Sequence, residues 1–220
     1  MLKRTYVNDN METLKTALEE CPILSDCVIT VVDNRLTISD QGGNQLFQIW
    51  RASNQIHWIV WVSEDTYVET VNGTDSYVAH INYCYVCDNG AVIYNTARNG
   101  LPIRIVKTTL GKLAFIFYDN SSVPTSTAMG FSRYLQCIAW GDIEPFDKID
   151  VTNRYDTHVM VVPMLTNSDA NVVSYTAKSG FMPYSTQDAS MKVIDIAGKK
   201  YLSDGYFAIE FEDSEETEES

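Results

Sequence analysis

The residues best suited to chemistry are His80, Cys84 and Cys87, which stand at His-x-x-x-Cys-x-x-Cys spacing within HINYCYVCDNGAVIY. Imidazole and thiolate are zinc ligands, and similar spacings occur in metal knuckles. The intervening residues argue against one. Tyr85-Val86 is strand-forming, whereas a knuckle turns between its cysteines and zinc takes four ligands. On a strand, Tyr83, Tyr85 and Cys87 point one way and Asn82, Cys84 and Val86 the other, so the two thiols cannot chelate one ion. The stretch therefore predicts a hairpin whose thiols are small core hydrophobes. Asp88-Asn89-Gly90 closes its turn, with Gly90 in the positive-φ position of a bulge.

Asp142, Glu144, Asp147 and Asp150 are the calcium candidates, four carboxylates within one loop of sequence WGDIEPFDKID. Calcium takes oxygen ligands, but the run lacks the Asp-x-Asp-x-Asp-Gly order and the bidentate Glu of a helical calcium loop. Turn formation and capping are the alternative duty for these acids. No metal site and no cofactor is assigned. No catalytic residue is predicted either. Gly130-Phe-Ser-Arg lacks the second glycine of a nucleophile elbow, and Gly111-Lys112 and Gly198-Lys199 lack the rest of a phosphate loop. His57, His80 and His158 stand apart from one another, as structural histidines do. Trp50, Trp61 and Tyr85 are the interface or ligand candidates, because flat rings with a polar edge suit both protein contacts and sugars. Trp58 reads as core.

These residues must be held by strands. Of 220 residues, 45% are hydrophobic and 13 are tyrosine, with Val and Ile prominent; that mix favours β-structure. One helix is predicted over METLKTALEEC: Asn10 caps it, Glu12 lies in its first turn, Leu14, Leu18 and Cys21 share a stripe, and Pro22 ends it. From Cys27 the period becomes two. CVITVV and RLTIS flank Asp33-Asn34, a dipeptide that tolerates left-handed backbone, and so read as a hairpin. QIHWIVWV alternates Ile56, Trp58, Val60 and Val62 against Gln55, His57, Ile59 and Trp61, the pattern of a mid-sheet strand. Turn-formers separate further runs at TYVETV, SYVAHINYCYVC, AVIYN, PIRIV, KLAFIFY, HVMVVPML, NVVSYTA, MKVIDI and YFAIEF, and TAMGFSRYLQCIAW leans to strand. The expected fold is mainly β: an antiparallel β-sandwich or barrel-like fold with a short N-terminal helix. It forms one β-rich domain over residues 1–212, with a possible subdivision near 124–130, followed by an acidic tail over 213–220.

The net charge of −13 is concentrated at the end: Glu212, Asp213, Glu215, Glu216, Glu218 and Glu219 supply six negative charges and leave −7 on residues 1–211. A surface of that sign repels phosphate backbones, so nucleic acid is not an expected partner. The longest apolar runs fall short of a membrane span, so no membrane partner is expected. Five cysteines without framework spacing suit a reduced, intracellular setting. Asn72-Gly-Thr74 and Asn120-Ser-Ser122 fit the glycosylation pattern but read as turns.

Residues 161–169 (VVPMLTNSD) and 193–213 (VIDIAGKKYLSDGYFAIEFED) combine an apolar strand, a Gly-Lys turn and an Asp-Gly-Tyr return strand. In this style the chain resembles structural proteins of tailed-bacteriophage virions, over about a fifth of its length. The resemblance implies a capsid decoration, head fibre, connector or tail module, made in the host cytoplasm and acting in the virion through contacts with itself and with other virion subunits. It carries over no catalytic residue. The alternative is a carbohydrate- or receptor-binding module, calcium-assisted at residues 142–150, whose partner would be a host-surface glycan.

Overall fold

The structure is a computed structural model that describes residues 1–73, 78–96, 102–118, 134–139, 146–150, 164–166, 172–175, 177–181, 191–204 and 207–213. After β1 (Lys3–Tyr6) comes the helix α1 (Met11–Glu19), then a 3-10 turn over Pro22–Leu24. There follow β2 (Cys27–Val32), β3 (Arg35–Asp40), β4 (Gln45–Ala52), β5 (Gln55–Trp61) and β6 (Tyr67–Asn72), which form a five-stranded sheet in that order. A seven-stranded sheet has the order β1, β7 (His80–Cys87), β8 (Gly90–Thr96), β9 (Ile103–Lys107), β10 (Leu113–Tyr118), β11 (Tyr134–Ala139), β12 (Phe146–Asp150). β13 (Met164–Thr166) pairs with β14 (Val172–Tyr175), and a four-stranded sheet orders β15 (Ser179–Phe181), β18 (Phe207–Phe211), β17 (Lys199–Ser203) and β16 (Lys192–Ile196). All pairings are antiparallel.

The five- and seven-stranded sheets make the expected sandwich. Alternation explains why: Leu36, Ile38, Phe47, Ile49, Ile56, Trp58 and Val60 face inward from one sheet and meet Ile81, Cys84, Ile93, Ile105, Phe115 and Phe117 of the other in a single core. Phe47 stacks on Phe115 (centroids 4.9 Å) and Trp58 meets Phe117 edge-on (5.8 Å, 83°). A polar contact crosses this interior: Asn72 Nδ2 donates to Asn95 Oδ1 over 2.6 Å, both residues buried. Asn72 is thus a buried residue at the end of β6, not part of the turn expected at Asn72-Gly-Thr74.

α1 behaves as its sequence predicts. Asn10 Oδ1 accepts the Thr13 N–H (3.0 Å), and Met11, Leu14 and Leu18 pack into the same core against β2, β3, β1 and β7. Burying Leu14 and Leu18 contributes about 1.5–3 kcal/mol each. The Asp33-Asn34 turn has φ of 51° and 57° at its two residues, the left-handed pair of a type I′ hairpin.

Two further expectations need correction. Gly90 does not sit at positive φ; it lies within β8, where an added Cβ would come 2.6 Å from the Ile105 carbonyl oxygen and 3.2 Å from Ile209 Cδ1. Close approach of β9 and β18 requires the glycine, not backbone handedness. Residues 146–150 are the strand β12 rather than part of an acidic loop, paired with β11. β1 is a strand that the sequence pattern does not predict: despite charged Lys3 and Arg4, it pairs with β7 in a four-residue register. The run 124–130 lies outside the described residues.

The four-stranded sheet docks on the outer side of the seven-stranded one. Arg104 faces outward from β9, opposite Val92 of β8 and Ile116 of β10, and is fully buried. Its Nε donates to Asp204 Oδ2 (2.5 Å), whose Oδ1 accepts the Phe207 N–H (2.9 Å). Burial pushes the Asp204 carboxyl up, with Arg104 pulling the other way. Asn89 Nδ2 donates to the Glu210 carbonyl (2.7 Å) and Ala177 N–H to the Lys107 carbonyl (2.7 Å), completing the dock.

Candidate functional site

The five-stranded sheet turns its other face to solvent, and alternation decides what that face carries. Arg35 of β3, Trp50 of β4, His57 of β5 and Val71 of β6 lie directly opposite one another across four strands. The Arg35 guanidinium sits 4.1 Å over the Trp50 ring, and His57 stacks on it at 5.1 Å and 16°. Because β4 runs between β3 and β5, the two partners occupy opposite faces of the indole. Beside this row, Gln48 accepts from Arg35 (3.3 Å) and donates to Thr37 (2.9 Å). At its far end Trp61 tilts against Tyr67 (6.0 Å, 50°), and Tyr67 is 53% exposed. Val28 and Val32 of β2 extend the face, 46% and 66% exposed. Tyr, Trp and Arg beside exposed aliphatic side chains are the composition of a protein contact.

A second aromatic patch lies outside the seven-stranded sheet. Tyr6 of β1 contacts Tyr83 of β7 (5.3 Å), Tyr83 contacts Tyr85 (6.2 Å), and Arg4 lies 3.9 Å over Tyr83 and 5.7 Å from Tyr85. Burial raises the Tyr85 phenol above its ordinary value, with Arg4 acting in the opposite sense. The registers Arg4↔Tyr85, Tyr6↔Tyr83 and Tyr83↔Tyr94 put this cluster on adjacent strands.

The three predicted interface residues therefore fall on two faces: Trp50 and Trp61 on one, Tyr85 on the other. Arg35, His57, Tyr67, Arg4 and Tyr83 join them, and only strand register could have revealed it. Of the calcium candidates, Asp147 and Asp150 lie in β12, while Asp142 and Glu144 lie outside the described residues, as does His158. Among the described residues no group of three or more His, Cys, Asp or Glu side chains is gathered as a cation site.

The thiols are where period two puts them. Cys84 belongs to the sandwich core, whereas Cys87, equally buried, does not. Cys21 Sγ contacts the Cys87 carbonyl (3.7 Å). Burial pushes the Cys21 thiol up to about 12 and Cys87 to about 11, and raises Cys84 as well. Such thiols are neutral and inert at neutral pH.

His80 has a different task from the knuckle its spacing suggests. Its Nδ1 lies 2.7 Å from Asp9 Oδ2, which also pairs with Arg51 (3.1 Å), and Asp9 Oδ1 accepts the Ile81 N–H (2.7 Å). Asn8 and Asp9 hold φ of 50° and 59° to aim this carboxylate. Asp9 anchors the turn before α1 to β4 and β7, a long-range cluster with no local signal.

No family model, curated protein or solved structure matches the chain. Among the described residues no helix is long and apolar enough to cross a membrane.

Proposed function

We propose that the chain is a non-enzymatic structural subunit of a phage-like virion, serving as a capsid decoration, head fibre, connector or tail module through contacts with itself and with neighbouring subunits. The observation that carries the reading is the Arg35–Trp50–His57 row flanked by Val28, Val32, Trp61 and Tyr67 on an outward sheet face. Rigid rings and a guanidinium give directional contact area at little entropic cost. The virion assignment is supported by the resemblance in residues 161–169 and 193–213.

The alternative, a carbohydrate- or receptor-binding module, draws on the same rings. A sugar stacks on a free ring face, and both faces of Trp50 are taken; Trp61 and Tyr67 remain for it. The subunit reading is therefore preferred. Light scattering of the purified protein, alone and mixed with the products of neighbouring genes, tests it. Trp61→Ala with Tyr67→Ala is expected to weaken association at least tenfold, about 1.4 kcal/mol. A chain that binds none of those products, and whose tryptophan fluorescence is quenched by glycans until a chelator is added, belongs to the alternative class.

A further inference from the structure

β2 is an edge strand that neither charge nor shortness protects. It pairs with β3 alone, in an unbroken register from Cys27↔Asp40 to Val32↔Arg35, and has no other strand neighbour among the described residues. Its six residues, CVITVV, include no charge and no proline. The remaining edges are different. β1 carries Lys3 and Arg4, β6 carries Glu69, β12 carries Asp147, Lys148 and Asp150, and β16 carries Lys192 and Asp195. β13, β14 and β15 have four residues or fewer. Charge and shortness are the usual ways of keeping an edge from pairing with another chain, and β2 uses neither.

We propose that β2 is the self-association edge of this protein, pairing antiparallel with β2 of a second copy about a two-fold axis. This rests on the reading of the chain as an assembly subunit and names the partner and the contact. The Asp33-Asn34 hairpin makes Val32 and Arg35 a hydrogen-bonded pair, so Val28, Thr30 and Val32 spend their backbone groups on β3. The N–H and C=O of Cys27, Ile29 and Val31 then point to the free edge, while their side chains pack toward the core. Placing Ile29 opposite its copy pairs Cys27 with Val31 and uses every one of these groups. Val28 then opposes Thr30, Asp26 opposes Val32, and Asp33 opposes Ser25, so no acid faces an acid.

Charge selects the same edge. A chain of net charge −13 repels its copies over most of its surface, and an uncharged strand is where that repulsion is least. Only a strand satisfies a row of backbone donors and acceptors, and an isologous pair closes on itself, since β6 at the opposite edge carries Glu69. The result joins two five-stranded sheets into one and sets both Arg35–Trp50–His57 rows on the same side. A six-residue strand contact is far smaller than the ~800 Å² per partner of a standard interface, so the dimer dissociates on dilution, with Kd on the order of micromolar.

Sedimentation velocity from about 1 to about 500 µM spans that range and tests the pairing. Wild-type protein is expected to pass from monomer to dimer. Val28→Lys with Thr30→Lys, both on exposed positions, is expected to remain monomeric with an unchanged circular dichroism spectrum, whereas Val193→Lys, exposed elsewhere, dimerises as wild type. In a second arm, Val28→Cys with Thr30→Cys forms an intermolecular disulfide on oxidation, and each single variant forms little. A wild-type chain that stays monomeric across the range overturns the inference. So does a dimer that survives the lysine pair and fails to cross-link, an outcome that leaves the subunit reading standing on another surface.

Discussion

A buried thiol loses its chemistry because the thiolate cannot be solvated. Of Cys21, Cys27, Cys84 and Cys87, Cys27 alone is partly exposed. In native protein at pH 8, Cys27 is expected to react with a disulfide reagent within minutes, and Cys21, Cys84 and Cys87 only after unfolding in guanidinium; fast labelling of Cys84 would refute the packing of β7. The same burial predicts alkaline sensitivity. With thiols raised from 9.0 to about 12 and about 11, the unfolded chain sheds protons above pH 9 while the folded chain keeps them. Stability therefore falls as pH rises from about 9 toward 11, by about 1 kcal/mol per thiol at pH 10, and is unaffected by these groups below pH 9. Urea midpoints at pH 8 and pH 10 measure it, and Cys21→Ala flattens the difference.

Elements are held by contacts that a single atom can break. A Cβ at Gly90 would collide with the backbone oxygen of Ile105, so β8 and β9 must part. Gly90→Ala is expected to destabilise by about 1–3 kcal/mol in urea titration. Gly111 is the control: its φ is +79° but nothing lies within 4 Å of an added Cβ, so Gly111→Ala incurs only backbone strain, about 1 kcal/mol. Equal losses at the two sites would show that β8 and β9 are not as close as described.

At the scale of the molecule, the four-stranded sheet docks around a buried ion pair. Arg104 and Asp204 are removed from water together, and deleting one leaves the other buried without its charge partner. Arg104→Leu is expected to cost about 3–5 kcal/mol, and the double change Arg104→Leu, Asp204→Leu to recover much of it. Hydrogen exchange supplies the discriminating measurement: protection in β16–β18 should fall in the single variant well before that in β2–β6. Uniform loss would mean that the sheets unfold as one unit.

Local pattern determined the elements of this protein. The cap at Asn10, the left-handed pair Asp33-Asn34 and the alternation in QIHWIVWV are short-range facts, and short-range sterics and burial decide helix, turn and strand. The opposite faces of Cys84 and Cys87 follow from the same period. Register and docking belong to the tertiary structure. That Arg35 and His57 sandwich Trp50, that Asp9 reaches His80 and Arg51, that Arg104 is buried against Asp204, and that CVITVV has β3 as its one strand neighbour among the described residues all depend on which strands become neighbours. Such neighbours are far apart in sequence, and only packing of the whole core selects them.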